Sequence, residues 1–114
     1  MKVITNYESV EQSIQSHQPI LLYFSSNTCG VCQILRQKVS DMVKNQFPDM
    51  VPLEVKVSET PEIAAKHMVF SAPTILVLFD GREVIRENRN VSLPQFESAV
   101  ARIYSLWKNA SEEG

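Results

Sequence analysis

The stretch Cys29-Gly30-Val31-Cys32 contains the only two cysteines of this 114-residue chain. It follows an apolar run at 20–24 and opens a longer segment whose apolar residues recur at helical spacing. A strand, a short loop and C-x-x-C at the start of a helix form the arrangement expected of a dithiol redox site. Unpaired N–H groups and the positive end of the helix dipole favour a thiolate at Cys29. We therefore predict a cysteine pair that alternates between dithiol and disulfide.

Two other interpretations of the cysteine pair stay open at this point. A structural zinc site needs four ligands. Only His17 and His67 are available to complete one, and neither has zinc-finger spacing to the cysteines. A structural disulfide that closes so short a loop constrains little of the unfolded chain. Both interpretations are weaker than the redox one, and no bound metal is predicted.

The bulk composition indicates one globular domain, with 44% apolar and 21% charged residues. A net charge of −2 gives no reason to expect nucleic acid or a membrane surface as a partner. No apolar stretch approaches the about 20 residues of a membrane span, and the first residues form no hydrophobic signal segment. These observations predict a cytoplasmic protein. In that reducing compartment a lone C-x-x-C is more often catalytic than structural.

Apolar periodicity and turn residues predict the element order βαβαβαββα. Helices are expected at 9–16, 31–47, 62–67 and after Ser92. Strands are expected at 20–24, 53–57, 74–79 and 83–88, with one more strand near the N-terminus, before the first helix. Thr60 is the expected N-cap of the third helix, and Asp80-Gly81 predicts a hairpin. We expect an α/β fold with helices on both faces of a central mixed sheet. Residues 1–108 would form the single domain, and 109–114 a polar C-terminal tail.

With these features in place, the chain resembles the thioredoxin family over nearly its whole length. The matching residues, besides the apolar run and the C-x-x-C that follows it, are Pro61, Ala72-Pro73-Thr74 and Asp80-Gly81. The resemblance implies a thioredoxin fold of three layers, α/β/α. It also implies a cis bond between Ala72 and Pro73 that packs against Cys29. By analogy, the backbone of Ala72 would pair with a bound substrate strand, since Pro73 has no N–H.

The activity implied by the resemblance is thiol–disulfide exchange by a thioredoxin-like oxidoreductase that acts in cell redox homeostasis. Cys29 would be the nucleophile and Cys32 the resolving residue, with Gly30 and Val31 between them as supporting residues. The implied partners are disulfide-containing protein substrates and an external reductase, and the expected state is a monomer. No metal, flavin or nucleotide cofactor is implied.

The chain also departs from the usual thioredoxin pattern W-C-G-P-C. Thr28 and Val31 replace its Trp and Pro, and Ser25 replaces a second, upstream Trp. Gln37 replaces a helix-kinking Pro, and the groove loop reads Asn-Arg-Asn at 88–90. The redox pair is kept, whereas the surface that would recognise a substrate is rebuilt.

Two further departures concern the handling of a proton. Tyr23 stands where the family has a buried Asp, and Glu54 stands where it has the facing Lys. We expect Glu54 to lie on the same sheet face as Tyr23, beneath Cys32. There a buried carboxylate with a raised pKa would exchange a proton with Cys32. The alternative is that Glu54 pairs with a Lys or Arg, or reaches solvent, and has no catalytic role.

Two alternative functions remain. A protein-binding module on the same fold, with vestigial cysteines, would explain the lost Trp residues and the altered loop, but the retained pair beside Pro73 opposes it. A reductase of mixed disulfides with low-molecular-weight thiols ranks lower. The sequence lacks a tyrosine inside the C-x-x-C and shows no clear pocket for such a thiol.

Overall fold

The structure, a computed structural model, describes residues 1–113, with side chains described up to residue 110. Its elements follow the predicted order. The helices are α1 (Glu8–Gln15), α2 (Cys32–Gln46), α3 (Pro61–Lys66) and α4 (Leu93–Glu113). The strands are β1 (Lys2–Val3), β2 (Ile20–Ser25), β3 (Val51–Lys56), β4 (Thr74–Phe79) and β5 (Arg82–Asn88). None of the described helices is long and apolar enough to cross a membrane.

The strands form one mixed five-stranded sheet in the order β1-β3-β2-β4-β5. β1, β3 and β2 are parallel, and each connection between them contains a helix, because parallel neighbours need a crossover. β4 and β5 run antiparallel to the strands beside them. β2 is the central strand, and all six of its residues are buried. Burial on both faces explains why its sequence is a continuous apolar run rather than an alternating one.

Two apolar clusters cover the opposite faces of the sheet. Ile20, Leu22 and Phe24 of β2 point to the cluster that includes α1 and α3. Leu21 and Tyr23, which alternate with them, point to the cluster that includes α2 and α4. The expected three-layer α/β/α arrangement is therefore confirmed. It places the first turn of α2 over the end of the central strand.

Helix α4 is longer than the sequence predicted. Its apolar stripe begins as expected, with Phe96 and Val100 buried. Near its end Trp107 packs against the rings of Phe79 and Tyr104, with centroids 6.3 and 5.5 Å away. The helix then continues to Glu113, through most of the segment 109–114 that was expected as a tail. The segment is polar, but it holds no Gly or Pro before Gly114, which lies outside the described residues, so nothing in it stops the helix.

The start of α3 also differs in detail. Pro61 is its first residue, directly after the expected N-cap Thr60, but Thr60 makes no side-chain cap. Its hydroxyl instead donates to the carbonyl of Lys56 at 3.2 Å. A hydroxyl that bonds backward along the chain competes with capping, and here the backward bond is the one formed.

The hairpin between β4 and β5 turns at Asp80 and Gly81, which both have positive φ, 52° and 76°. Two successive left-handed residues make the type I′ turn whose twist suits a tight hairpin, and Asp and Gly are the residues that tolerate it. A Cβ on Gly81 would lie 3.5 Å from the side chain of Ile14, an ordinary contact. The requirement for glycine here therefore comes from the backbone and not from crowding.

Gly81→Ala is expected to lower the free energy of unfolding by about 1 kcal/mol, because an L-residue in the left-handed region costs roughly 1–2 kcal/mol. Gly30→Ala is the matched control. Gly30 has no positive φ, and apart from its chain neighbours no described residue lies within 4 Å of an added Cβ. Urea denaturation of both variants measures the difference. Equal losses in the two variants would contradict the assignment of strain to Gly81.

Candidate active site

Cys29 and Cys32 form a disulfide between the end of β2 and the start of α2, with their Cα atoms 5.4 Å apart. Cys29 lies half-buried in the loop, whereas Cys32 is the first residue of α2 and only 1% exposed. The loop is wound by backbone hydrogen bonds of 3.3 Å from Cys29 to Ser26 and from Cys32 to Cys29. The structure thus places an accessible cysteine ahead of a shielded one, at the positive end of a 15-residue helix.

The turn before β4 faces this pair. The Ala72–Pro73 peptide bond is cis, and Ala72 lines the same pocket as Cys29. Thr74 begins β4, is buried, and donates its hydroxyl hydrogen to the carbonyl of Ser71 at 2.7 Å. This hydrogen bond closes the turn around Pro73 and fixes the backbone that faces Cys29.

A pocket of about 400 Å³ opens beside Cys29. Its lining is predominantly polar and consists of Ser26, Thr28, Cys29, Gly30, Val31, Ala72 and Arg89. Arg89 is the charged residue of this lining, and sequence reasoning treated it only as part of a changed loop. The pairing of the β4–β5 hairpin could have indicated the position of Arg89. Antiparallel pairing sets Asn88 opposite Thr74, so the residue after Asn88 returns to the turn at Ala72.

Tyr23 lies beneath the first turn of α2. Its hydroxyl donates to the carbonyl of Cys32 at 2.7 Å. Burial, followed by the negative charge of Glu54, raises the pKa of Tyr23 to about 12. The phenol therefore keeps its proton at neutral pH. It acts here as a hydrogen-bond donor that holds the helix, and not as a base.

Glu54 lies next to Tyr23 on the neighbouring strand and is 2% exposed. The hydroxyl of Ser25 donates to one of its carboxylate oxygens at 2.7 Å, and Nε of Arg36 donates to the other at 2.5 Å. Burial by itself raises the pKa of Glu54. The hydrogen bonds from Ser25 and Arg36 and the charge of Arg36 lower it by more than burial raises it, so the pKa of Glu54 lies below its ordinary value. The expected raised pKa is therefore wrong. The carboxylate is the ionised partner of an arginine, which was the alternative interpretation.

These contacts attach α2 to the sheet at two levels. Tyr23 and Glu54 lie opposite each other on adjacent strands, while their partners Cys32 and Arg36 lie one turn apart on α2. Arg36 also donates from Nη2 to the carbonyl of Met1 at 2.9 Å. The turn that carries the shielded cysteine is thus fixed from below by two strands and the N-terminal residue.

The histidines have other partners. Nε2 of His67 lies 2.8 Å from the hydroxyl of Tyr7, and burial, then the charge of Lys66, lowers the pKa of His67. The exposed ring of His17 faces the carboxylate of Asp80 at 3.9 Å. Among the described side chains, no group of three or more His, Cys, Asp or Glu residues is placed to hold a metal ion.

Comparison with known proteins finds a consistent set of relatives. The Thioredoxin family model matches residues 1–102. Thioredoxin-like protein YdfQ of Bacillus subtilis is 31% identical over 100 residues, which cover 88% of each protein. Thioredoxin-2 of Pyricularia oryzae is 30% identical over 81 residues, 71% of this chain and 47% of that protein. The structure of Fasciola hepatica thioredoxin matches with a TM-score of 0.78 and 27% identity, over 90% of this chain and 98% of that one.

Glu54→Gln is expected to lower the free energy of unfolding at pH 7 by about 1–3 kcal/mol, because Arg36 loses a buried charged partner. The pKa of Glu54 is lower in the folded chain than in the unfolded one. Its charge therefore stabilises the fold above the unfolded pKa of about 4.3, and this contribution is lost as the pH falls through the folded pKa.

The difference in unfolding free energy between wild type and Glu54→Gln should thus be constant from about pH 7 to 5 and shrink below about pH 4. Urea denaturation at a series of pH values measures it. Glu59→Gln, which changes an exposed glutamate in a turn, is the control and should stay within about 0.5 kcal/mol of wild type. A Glu54→Gln difference that is unchanged between pH 7 and 3 would contradict the role of charge.

Proposed function

This chain belongs to the thioredoxin family, and we propose that it reduces disulfides of protein substrates, with Cys29 as the attacking thiolate and Cys32 as the resolving thiol. The chain is a thiol–disulfide oxidoreductase, and a binding module with vestigial cysteines is not favoured. The observation that carries the proposed roles is the asymmetry of the pair. Cys29 lines an open pocket, whereas Cys32 is 1% exposed.

The reaction proceeds in two exchanges. The Cys29 thiolate attacks one sulfur of the substrate disulfide, the substrate S–S bond breaks, and the other sulfur leaves as a thiolate. The sulfur of Cys32 then attacks that of Cys29 in the mixed disulfide. The Cys29–Cys32 disulfide forms, and the second substrate sulfur leaves as a thiolate. The substrate gains two electrons and takes up the proton of Cys32 and one from water, and the cysteine pair loses two electrons.

The surroundings of the two sulfurs support this order. Cys29 precedes the first turn of α2, where the helix dipole and free N–H groups lower a thiol pKa. Cys32 is enclosed, and burial keeps the pKa of an enclosed thiol high. The backbone of Ala72, beside the same pocket, is placed to pair with an extended substrate segment.

The resolving step does not use Glu54 as a base, because that carboxylate is held by Ser25 and Arg36. Tyr23 positions Cys32 through its carbonyl and keeps its own proton. The proton of Cys32 therefore passes to the leaving thiolate, directly or through water. The rate of the second exchange therefore depends on the pKa of the leaving substrate thiol and not on a protein carboxylate.

The cycle needs an external reductase that returns two electrons to the Cys29–Cys32 disulfide. We further propose that the chain works as a monomer in the cytoplasm, where reductases keep thiols reduced. The chain has only two cysteines, and both belong to the redox pair. A chain without any further disulfide suits a reducing compartment, which supports the proposed location.

Cys32→Ser is expected to accumulate covalent complexes with protein substrates, because the first exchange proceeds and the second cannot. Cys29→Ser should accumulate few or none, since the remaining thiol is enclosed. Non-reducing gels and mass spectrometry of cell extracts passed over each variant measure the complexes, and dithiothreitol should release them. The double variant is the control for non-covalent capture.

Equal trapping by the two single variants would show that the nucleophile is misassigned. Absence of trapping by Cys32→Ser, together with failure of the wild type to reduce insulin disulfides, would contradict the proposed reduction of protein substrates.

A further inference from the structure

The loop after β5 places a cation beside the attacking cysteine. Because Asn88 pairs with Thr74 at the end of the β4–β5 ladder, the next residue, Arg89, lies against the turn that contains Ala72. The loop is held by its own hydrogen bonds. The N–H of Asn90 donates to Oδ1 of Asn88 at 2.9 Å, and the N–H of Val91 donates to the Asn88 carbonyl at 3.0 Å. The position of Arg89 at the pocket therefore follows from strand pairing.

Arg89 differs from the neighbouring Arg86 in its contacts. Arg86 is held by both carboxylate oxygens of Glu83 and by the carbonyls of His67 and Met68. Arg89 is exposed, and in the part of the chain that the structure describes its guanidinium has neither a hydrogen bond nor an ion pair. Five N–H donors of fixed geometry are thus free beside the disulfide.

The rest of the pocket complements an anion. Among the side chains that the structure describes, no Asp or Glu belongs to the pocket lining, so the charge of Arg89 is not balanced there. The hydroxyls of Ser26 and Thr28 lie 3.4 Å apart in the same lining and supply further hydrogen-bonding groups. A volume of about 400 Å³ lies at the small end of ligand sites, which suits one or two side chains of a peptide.

We propose that Arg89 selects disulfides flanked by an acidic residue. The substrate disulfide meets Cys29, its backbone lies along Ala72, and the carboxylate of a neighbouring Asp or Glu accepts paired hydrogen bonds from the Arg89 guanidinium. The hydroxyls of Ser26 and Thr28 line the path of the same side chain. This inference rests on the proposed reduction of protein disulfides and names the class of substrate for it.

The test uses three disulfide-linked peptides that are identical except for the residue next to the cystine, which is Glu, Gln or Lys. The pre-reduced protein reduces each peptide in a single turnover, followed by mass spectrometry. For wild type at low salt, the rate should rank Glu over Gln over Lys, with about a fivefold ratio between Glu and Lys, the size expected of an exposed ion pair. The ratio should fall as salt is added.

Arg89→Ala should bring the Glu-to-Lys rate ratio to about one, and Arg89→Glu should invert it. Arg89→Lys, which keeps the charge but not the paired donors, should retain part of the wild-type ratio. Any influence of Arg89 on the Cys29 thiolate cancels, because the ratio is taken within each variant. Arg82→Ala is the matched control. It removes an exposed arginine at the opposite end of β5 and should leave the wild-type ratio unchanged.

The outcomes separate this inference from the function beneath it. Equal rates for the three peptides, or a preference for Glu that survives in Arg89→Ala, would overturn the selectivity and leave disulfide reduction standing. If wild type fails to reduce even the Gln peptide, the proposed function fails and the selectivity falls with it. A fourth substrate, glutathione disulfide, tests the other source of a carboxylate. If it reacts faster than the Glu peptide with the same dependence on Arg89, the assignment to an acidic peptide is wrong.

Discussion

The attachment of the first turn of α2 to the sheet is the constraint on which the rest of the site depends. One hydrogen bond joins Tyr23 to the carbonyl of Cys32, and one ion pair joins Glu54 to Arg36. A hydrogen bond contributes about 1 kcal/mol and a fully buried aliphatic side chain about 1.5–3 kcal/mol, so the two apolar clusters carry most of the stability. The polar contacts set the orientation of α2 on the sheet. They fix which residue of the helix faces the core and leave Cys29 on the open side.

The buried departures from the family pattern compensate each other. Where thioredoxins usually have a buried Asp facing a Lys, this chain has Tyr23 facing Glu54. The acid has moved from β2 to β3, and the base is supplied by Arg36 from α2. Opposite charges are therefore still paired beneath the cysteines, and the described buried side-chain polar atoms all have partners. What has changed is that the carboxylate is committed to the arginine.

The features that local chemistry determines were predictable from the sequence. An apolar run marks the buried strand β2, Asp80-Gly81 marks the turn, and C-x-x-C after a strand marks the site. The pKa of Glu54 was not predictable, because its direction depends on Arg36, a long side chain whose reach across two elements leaves no local pattern. The extent of α4 was missed for a related reason. Polarity at 109–113 reports exposure, and an exposed segment without a breaker continues a helix.

Trp107, the only tryptophan of the chain, lies on α4 and packs against Phe79, the last residue of β4. The turn that faces Cys29 precedes Thr74, the first residue of the same strand. A strand of this length spans roughly 20 Å. A disulfide quenches indole emission at close range, and here the indole lies at the other end of the sheet. Fluorescence of Trp107 is therefore expected to report the docking of α4 on the sheet, with little direct quenching by the Cys29–Cys32 disulfide. In this protein the optical signal of the fold and the chemical state of the site are separate observables.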